Sequence, residues 1–337
     1  MTAPADHEDS RRRPASVFDV AKVAGVSHQT VSRVLNDHPS LRDATRQKVL
    51  AAMRELNYRP NAAARALSSS RSRMIGILST SSGEYGPASS VAAVETAARG
   101  RGYSVTIANA DGLDPQSVNE AVNHLANLSA EGLVVVAPQT RVLVALSELS
   151  IGIPFVTLQA PGSENSGDRQ LDQVVGARMA TAHLVALGHR RIGHIAGPAE
   201  WLDASQRLAG FGAELEQRGL DAGFVAAGDW SAASGHRAAT DLLARGVTAI
   251  FAGNDQMALG ALSAATTARL EVPRDLSIVG FDDVPEAAFY HPPLTTVRQD
   301  LAEAGRRAVA LLLGESDVAP SVQPELILRA STAPPRP

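Results

Sequence analysis

The sequence predicts an α/β protein in which a small all-α head precedes a two-lobed body with parallel sheets. In residues 17–67 the apolar residues recur at helical spacing only, whereas from Met74 onward short apolar runs alternate with amphipathic helical stretches. The alternation stops after residue 159 and resumes at Gly176, which divides the body into two halves. With 337 residues, the chain has room for two or three domains and a substantial core.

The N-terminal stretch MTAPADHEDSRRRPAS has no apolar segment, so it is not a secretory signal, and we expect residues 1–14 to be a disordered tail. The chain has no cysteine, which excludes disulfides and thiolate metal sites. No apolar run approaches the length that spans a bilayer. These features predict a cytoplasmic protein without membrane contact.

Residues 17–36, VFDVAKVAGVSHQTVSRVLN, contain two short helical patterns separated by a break. Gly25 and Val26 interrupt the first pattern, and Ser27 is placed to cap the second helix. The apolar residues of the two patterns are Phe18, Val20, Ala21, Ala24, Val31, Val34 and Leu35. The arrangement predicts a helix-turn-helix, and the alternative is an ordinary helical hairpin with a solvated polar face.

The outward face of the second helix carries polar side chains that suit base edges. These side chains are His28, Gln29, Ser32 and Arg33. Glutamine can form a bidentate pair with adenine, and arginine with guanine, in the major groove. The face therefore predicts contact with double-stranded DNA, close to the groove floor.

A third amphipathic helix begins at Asp43 or Thr45. Its apolar side consists of Val49, Leu50, Met53 and Leu56. The helix ends within the segment NYRP at 57–60, because the residue before a proline is disfavoured in a helix. Asn61 can then cap a short helix in AAARALSSS, and a link at 68–73, rich in serine and arginine, leads to the body.

The charges of the chain are unevenly distributed. Residues 1–73 contain 13 Lys and Arg against 7 Asp and Glu, and the remainder contains 18 against 28. Both lysines of the chain, Lys22 and Lys48, lie in the head. A basic head on an acidic body places the contact with a polyanion at the N-terminal end, although the arginines at 11–13 alone could serve as a solubilising tail.

These motifs resemble the DNA-binding head of the lactose-repressor (LacI) family. They are D-V-A-x-x-A-G-V-S-x-x-T-V-S-R-V-L-N at 19–36, T-R-x-K-V at 45–49 and L-N-Y-x-P-N-x-x-A-R-x-L at 56–67. The resemblance implies a sequence-specific transcriptional regulator that acts as a repressor, with a hinge helix that orders only on DNA. The DNA contacts it implies are Ser27, His28, Gln29, Thr30, Ser32, Arg33, Asn36, Asn61, Arg65 and Leu67.

The same resemblance implies a distinct role for Leu67. Its side chain would be wedged between base pairs in the minor groove, where an apolar wedge bends the duplex. The alternative is that Leu67 is a linker residue without a role.

The body alternates strands and helices in a regular order. Strands are predicted at 74–80, 103–109, 132–138, 154–159, 191–197, 224–229, 249–254 and 276–283, and helices at 90–101, 115–128, 142–149, 176–188, 205–217, 234–245 and 255–268. This order predicts parallel sheets with right-handed crossovers. Ligands of such sheets bind outside the carboxyl ends of the strands, so we expect a binding cleft between the halves.

The body also resembles that of the same family, a two-lobed fold like the periplasmic sugar-binding proteins. The resemblance implies lobe one at 74–171 and 301–322 and lobe two at 172–300 and 323–332, within an effector-binding and dimerisation domain at 74–337. The helix-turn-helix domain then occupies 15–60, and the hinge helix and linker 61–73. Because the chain crosses between lobes three times, a bound ligand can bias their relative tilt.

Candidate ligand contacts follow the strand ends. Arg207, expected in the first turn of a helix, could hold two vicinal sugar hydroxyls or form a salt bridge instead. Trp230 could stack on a pyranose, and its polar neighbours indicate the rim of the cleft and not the core. Asn254 and Asp282 offer an amide and a carboxylate to hydroxyls, whereas Asp255 fits a helix-capping role.

The resemblance adds Thr80, Gln159 and Gln299 to these effector contacts. The motifs G-D-W-S-A-A-S-G and N-D-Q-M-A-L-G-A resemble the lactose-responsive branch of the family, which implies a small, galactoside-like sugar. Gln159 departs from that branch, where a pocket Asp is expected, and Leu171 replaces an aromatic residue. The end of the chain, STAPPRP, contains no leucine heptad, so we expect a homodimer and no tetramer.

An enzyme is disfavoured by the motifs. The chain has no G-x-S-x-G, no P-loop and no G-x-G-x-x-G after a strand, and its histidines lack metal-ligand spacing. Asp282 and Asp283 make a poor acid-base pair because adjacent residues point in different directions. We expect no catalytic site, cofactor or metal, and as partners a pseudo-palindromic operator and a sugar. The alternatives are a sugar-binding protein or glycoside-processing enzyme without DNA function, and a corepressor-dependent regulator.

Overall fold

The computed structural model describes residues 15–35, 41–58, 71–80, 83–137, 139–149, 151–158, 171–315 and 323–336. The chain divides into two compact units, a head at residues 1–72 and a body at residues 73–337. The head is all-α and the body is α/β, which confirms the fold class that the sequence predicts. The predicted N-terminal tail and hinge helix lie outside the described residues.

Three helices form the described part of the head: α1 (Val17–Ala24), α2 (His28–Leu35) and α3 (Asp43–Glu55). A capping box starts α1, because the Ser16 hydroxyl accepts from the Asp19 N–H while the Asp19 carboxylate accepts from the Ser16 N–H. Gly25 ends α1 with a φ of 64°, a conformation that glycine adopts without strain. Both ends of the first helix of the helix-turn-helix are therefore capped.

The side chains between the helices make a small core. The Ser27 hydroxyl accepts from the Thr30 N–H at 3.1 Å, so Ser27 caps α2 as the sequence predicts. The buried apolar residues of the head are Val20, Ala21, Val31, Val34, Val49 and Ala52. The apolar side of α2 thus packs in this core, and its polar side faces away from the core.

The body contains ten strands and eight helices in its described part. The strands are β1 (Met74–Thr80), β2 (Ser104–Ala110), β3 (Gly132–Val136), β4 (Phe155–Thr157), β5 (Ile192–Ala196), β6 (Val225–Ala227), β7 (Ala249–Ala252), β8 (Ser277–Asp282), β9 (Thr295–Arg298) and β10 (Glu325–Ile327). The helices are α4 (Tyr85–Gly100), α5 (Pro115–Asn127), α6 (Thr140–Glu148), α7 (Gln173–Ala186), α8 (Leu202–Gln217), α9 (Ala232–Ala244), α10 (Asp255–Thr267) and α11 (Leu301–Leu312). A short 3-10 helix spans Pro285–Phe289.

Two sheets organise the body into two lobes. The first lobe has the strand order β2-β1-β3-β4, and the second lobe has the order β10-β9-β8-β7-β5-β6. All pairs are parallel except β9 with β10, which are antiparallel. The sequence analysis expected parallel strands only, and β10 differs because the chain re-enters the second lobe from α11, which packs on α4 of the first lobe.

Several element bounds differ from those predicted. Helix α4 begins at Tyr85, five residues before the predicted start at Ser90, and Pro87 lies in its first turn, where the missing N–H of proline is tolerated. The sequence analysis did not identify β9, β10 or α11 as elements. The three residues of β10 are too few for a pattern of alternating polarity to emerge.

The C-terminal residues pack onto the second lobe. The Ser331 hydroxyl donates to the Ile278 carbonyl at 2.6 Å, and the Ile278 N–H donates to the Ser331 carbonyl at 2.8 Å. His189 approaches the Ala333 carbonyl with Nε2 at 2.9 Å. None of the helices in the described ranges combines the length and the apolar character that crossing a membrane requires.

Candidate functional site

The polar face of α2 lies at the surface of the head. Ser27, His28, Gln29 and Arg33 are exposed, whereas Thr30 and Ser32 are half-buried. The Thr30 hydroxyl lies 2.9 Å from the Ser27 hydroxyl, so this pair also holds the turn. The predicted contacts therefore form one continuous polar face opposite the buried Val31 and Val34.

Phe18, one of the apolar residues at helical spacing in α1, lies at the surface of the head. Its side chain is 68% exposed. Its ring lies 5.3 Å from the His28 ring, centroid to centroid. The exposed Phe18 ring on α1 therefore adds an apolar surface beside the polar face of α2.

Five predicted contacts lie outside the described residues. They are Asn36, Asn61, Arg65 and Leu67 for DNA and Gln159 for the effector. Their roles stay predictions.

Arg207 forms the centre of the body's polar cluster. It lies in the second turn of α8, one turn later than predicted, and is 5% exposed. Its Nε donates to the Gln173 Oε1 at 2.9 Å, its Nη2 donates to the Asp282 Oδ1 at 3.3 Å, and its Nη1 donates to the Gly253 carbonyl. The guanidinium also lies over the Phe281 ring, 3.9 Å from its centroid. All three nitrogens of the guanidinium are therefore engaged within the protein.

Asp282 ends β8 with a backbone that is unusual for a residue with a side chain. Its φ is 104°, outside the regions that such residues commonly adopt. Burial raises the pKa of Asp282 to about 6, against the effect of the Arg207 guanidinium. A strained, perturbed carboxyl at the carboxyl end of a parallel strand is typical of a ligand site.

Gln299 joins this cluster through Gln173. The Gln299 Nε2 donates to the Gln173 Oε1 at 3.0 Å, and the Gln173 Nε2 donates to the Gln299 Oε1 at 3.2 Å. Because Arg207 also donates to Gln173, three predicted contacts, Arg207, Asp282 and Gln299, meet in one network. Gln173 was not predicted, since nothing in its sequence context distinguishes it from other polar helix residues.

Trp230 is a core residue, so its prediction as a rim residue is wrong. It is 5% exposed and belongs to the largest apolar cluster of the second lobe. A Cβ on Gly197 would lie 2.2 Å from its ring, so only glycine fits beneath the indole. The φ of 71° at Trp230 accompanies this inward placement.

Asn254 holds the capping role that the sequence predicts for Asp255. Asn254 caps α10, because its Oδ1 accepts from the Met257 N–H at 2.8 Å while its Nδ2 donates to the Trp230 carbonyl at 3.1 Å. Asp255 is fully buried and accepts from the Thr296 hydroxyl at 2.6 Å and the Val284 N–H at 2.8 Å. Asp255 therefore ties α10 to the sheet and does not cap the helix.

Asp255 leads to a pH prediction. Burial, and then repulsion from Asp282, raises its pKa from 3.8 to about 8. Between these values the folded protein binds more protons at this group than the unfolded chain, so its contribution to stability falls as pH rises through the window. The midpoint of urea denaturation should therefore fall as pH rises through this window. We expect this fall to be smaller in Asp255→Asn than in the wild-type protein. Equal slopes in Asp255→Asn and in the exposed control Asp241→Asn would contradict this.

A cavity of about 400 Å³ lies between the lobes. Thr80, Gln139 and Asp111 line it from the first lobe, and Glu200 and Trp201 from the second. The lobes also touch here, because the Thr140 N–H donates to the Glu200 carbonyl at 3.1 Å. The Thr80 Oγ1 and the Gln139 Oε1 are buried without hydrogen-bond partners, which marks the cavity as a place for a polar ligand.

Trp201 is the aromatic residue of this cavity that the sequence analysis missed. It is half-buried and lies edge-on to Trp230, with 5.5 Å between ring centroids. Its position between a strand end and the start of α8 was the available signal. A larger groove of about 1090 Å³ runs along α4 and residues 298–302, and of the predicted contacts only Gln299 lines it.

Comparisons with known proteins agree with both parts of the site. Residues 16–61 match the model of bacterial regulatory proteins of the lacI family, and residues 181–332 match a periplasmic binding protein-like domain. The lactose operon repressor of Escherichia coli K12 is 36% identical over 304 residues, covering 89% of this chain and 84% of the repressor. The ribose operon repressor of the same strain is 36% identical over 307 residues, covering 89% and 92%.

Among solved structures, the lac repressor dimer bound to operator and the anti-inducer ONPF superposes with a TM-score of 0.83 and 34% identity. The match covers 95% of this chain and all of the other. The matched proteins are repressors and not enzymes, in agreement with the prediction that the chain is not an enzyme. The head, the body and these relatives together show that the chain belongs to the lacI family of bacterial regulatory proteins.

Proposed function

We propose that the chain is a DNA-binding transcriptional repressor in which a small sugar, of the galactoside class, controls affinity for a pseudo-palindromic operator. The observation that carries the DNA part is the exposed polar face of α2 on a helix held by its apolar side. Gln29 and Arg33 on that face carry the groups that pair with adenine and guanine edges. His28 and Phe18 flank them as a tilted ring pair.

The effector part rests on a polar network of the second lobe and on the cavity between the lobes. Arg207, Asp282 and Gln299 form one hydrogen-bonded network, and the neighbouring cavity adds buried, unpartnered atoms of Thr80 and Gln139. So many hydrogen-bond donors and acceptors suit the hydroxyls of a sugar. Trp201 adds an aromatic ring at the cavity wall. A sugar that contacts both lobes can bias their relative tilt.

The galactoside class is supported by the relatives, one of which is a lactose operon repressor. The ribose operon repressor is equally identical, which makes a riboside the second candidate. Calorimetric titration with methyl β-galactoside, nitrophenyl β-galactoside and ribose separates them. We expect saturable binding of the galactosides without release of nitrophenol, and tighter binding of ribose would replace the proposed effector.

A homodimer is proposed for operator binding. The solved lac repressor bound to operator is a dimer, and in this chain Leu259 and Phe289 are large apolar residues exposed on the second lobe. Two heads would then occupy the two halves of one site. A sugar that prefers the DNA-free form about a hundredfold would shift the equilibrium by about 2.7 kcal/mol.

Replacing Arg33 with Ala tests whether the polar face of α2 contacts the bases of the operator. We expect operator affinity to fall by about 1–3 kcal/mol and preference at one base position to relax, because a bidentate arginine pair is lost. Anisotropy titrations on the operator and on single-base variants measure both effects. Arg33→Lys keeps the charge without the planar fork, so it should also relax the preference. An unchanged base preference in both variants would remove Arg33 from the proposed contacts.

A further inference from the structure

Asp203 is a buried carboxyl beside the effector cluster that the DNA and sugar contacts proposed above do not use. It lies in the first turn of α8, four residues before Arg207, so both side chains emerge on one face of the helix. Asp203 is 9% exposed, and its Oδ1 is buried without a hydrogen-bond partner. No ion pair involves Asp203 among the residues that the structure describes.

Arg207, the cation that acts on Asp203, is already engaged. Arg207 pairs with Asp282 at 3.3 Å and donates its other nitrogens to Gln173 and Gly253. Burial lowers the pKa of His194 to about 4, so this neighbour of Arg207 is neutral near pH 7. Glu84 adds negative potential at Asp282. The cluster therefore holds more carboxyls than cations.

The atom that Asp203 leaves buried and unpartnered is a carboxyl oxygen. An ionised carboxylate only accepts hydrogen bonds, so this oxygen favours a ligand group that donates. Burial raises the pKa of Asp203, and the Arg207 guanidinium offsets this only in part. An ammonium group supplies three donors and a positive charge, and accepts nothing.

We propose that Asp203 is a specificity-determining residue that selects an effector carrying a protonated amine, an amino sugar, over neutral and anionic sugars of the same shape. The inference rests on the proposed function, since it assumes a sugar in the cleft. A charge-assisted hydrogen bond from the amine to the Asp203 Oδ1 would satisfy the buried carboxylate and balance the second negative charge. A sugar acid or sugar phosphate would instead add a negative charge beside Asp203 and Asp282.

The wild-type protein tests this with matched ligands. Calorimetry compares methyl β-galactoside with its 2-amino and 6-amino derivatives and with the N-acetyl form of each amine, which keeps the nitrogen and removes the charge. We expect one amine to bind about tenfold or more tightly than both its hydroxyl parent and its N-acetyl form. If every amine binds no better than its neutral partners, or if none binds, the inference is overturned.

Asp203→Asn supplies the second comparison. This near-isosteric change should remove the preference for the amine and keep binding of methyl β-galactoside, whereas Asp241→Asn, an exposed acidic residue of α9, should keep the preference. A preserved preference in Asp203→Asn would exclude Asp203 as its source. If that variant does not fold, as judged by circular dichroism, the wild-type ligand series alone decides.

The two levels of the proposal fail differently. Operator binding that responds to neutral galactosides and ignores the amines would leave the regulator intact and overturn the role of Asp203. Absence of any operator binding would remove the proposed function itself, whatever the ligand preference.

Discussion

Replacing Trp230 with Ala is expected to lower the free energy of unfolding by about 3–5 kcal/mol, because truncating a buried aromatic side chain leaves a cavity that neighbours fill only in part. The indole packs in the second-lobe core over Gly197 and edge-on to Trp201. Its backbone carbonyl also accepts from the Asn254 side chain that caps α10. We expect a lower midpoint in urea denaturation and parallel losses of sugar and operator binding as the folded fraction falls.

Trp201→Ala is the matched control for this change. The chain contains only these two tryptophans, and Trp201 lines the cavity between the lobes and is half-buried. It should weaken sugar binding with a much smaller loss of stability. If Trp230→Ala instead kept full stability and lost only sugar binding, the indole would be a ligand platform and its assignment to the core would be wrong.

Replacing Arg207 with Met is expected to cost about 3–5 kcal/mol of stability, because a buried ion pair that loses one partner leaves an uncompensated charge. Asp282 would lose its guanidinium partner, and Gln173 and the Gly253 carbonyl would lose donors. The sugar response should disappear at the same time. Urea denaturation and calorimetric titration measure the two effects.

Two comparisons isolate the buried charge as the cause. Adding Asp282→Asn to Arg207→Met should recover part of the stability, because the unpaired charge is then absent. Arg99→Met removes an exposed pair with Glu95 and should change stability by less than about 0.5 kcal/mol. No recovery in the double variant would show that the loss arises from the other Arg207 contacts, with Gln173, Gly253 and Phe281, and not from the charge.

The sequence predicted the elements whose side chains have a strong period. The helix-turn-helix followed from the spacing of Val20, Ala21, Val31 and Val34, and these residues form the core of the head. The eight strands it predicted in the body are all present. The clearest of them, β3 and β5, are fully buried, mainly apolar runs between helices. Phe18 fits the helical spacing but is exposed, since an eight-residue helix buries only one narrow side.

The roles within the cleft were harder to predict because they depend on orientation. Arg207, Asp282 and Gln299 were expected to share a site and do meet, but Gln173, which links them, carries no signal in the sequence. Trp230 was placed at the rim because of its polar neighbours, whereas its left-handed backbone turns the ring inward. No pattern gives that φ.

The cap of α10 shows how precisely the sequence can locate the start of a helix. The first helical residue and the cap differ by one position, and the sequence assigned the cap to Asp255 when Asn254 holds it. An error of one residue is within the ordinary uncertainty of a helix end, yet here it decides which of two buried side chains caps the helix and which ties it to the sheet. Asp203 was missed for a related reason, since only tertiary packing shows which side of α8 is covered.

The coupling between cleft and head is tested most directly by an anisotropy titration of the full chain on DNA from upstream of its own gene, at one modest, fixed salt concentration, with and without galactosides. We predict saturable binding to one defined site and a change in affinity of about a hundredfold when a galactoside is added. A chain that binds no defined site under any ligand condition, or whose affinity is the same with saturating sugar, would contradict the account.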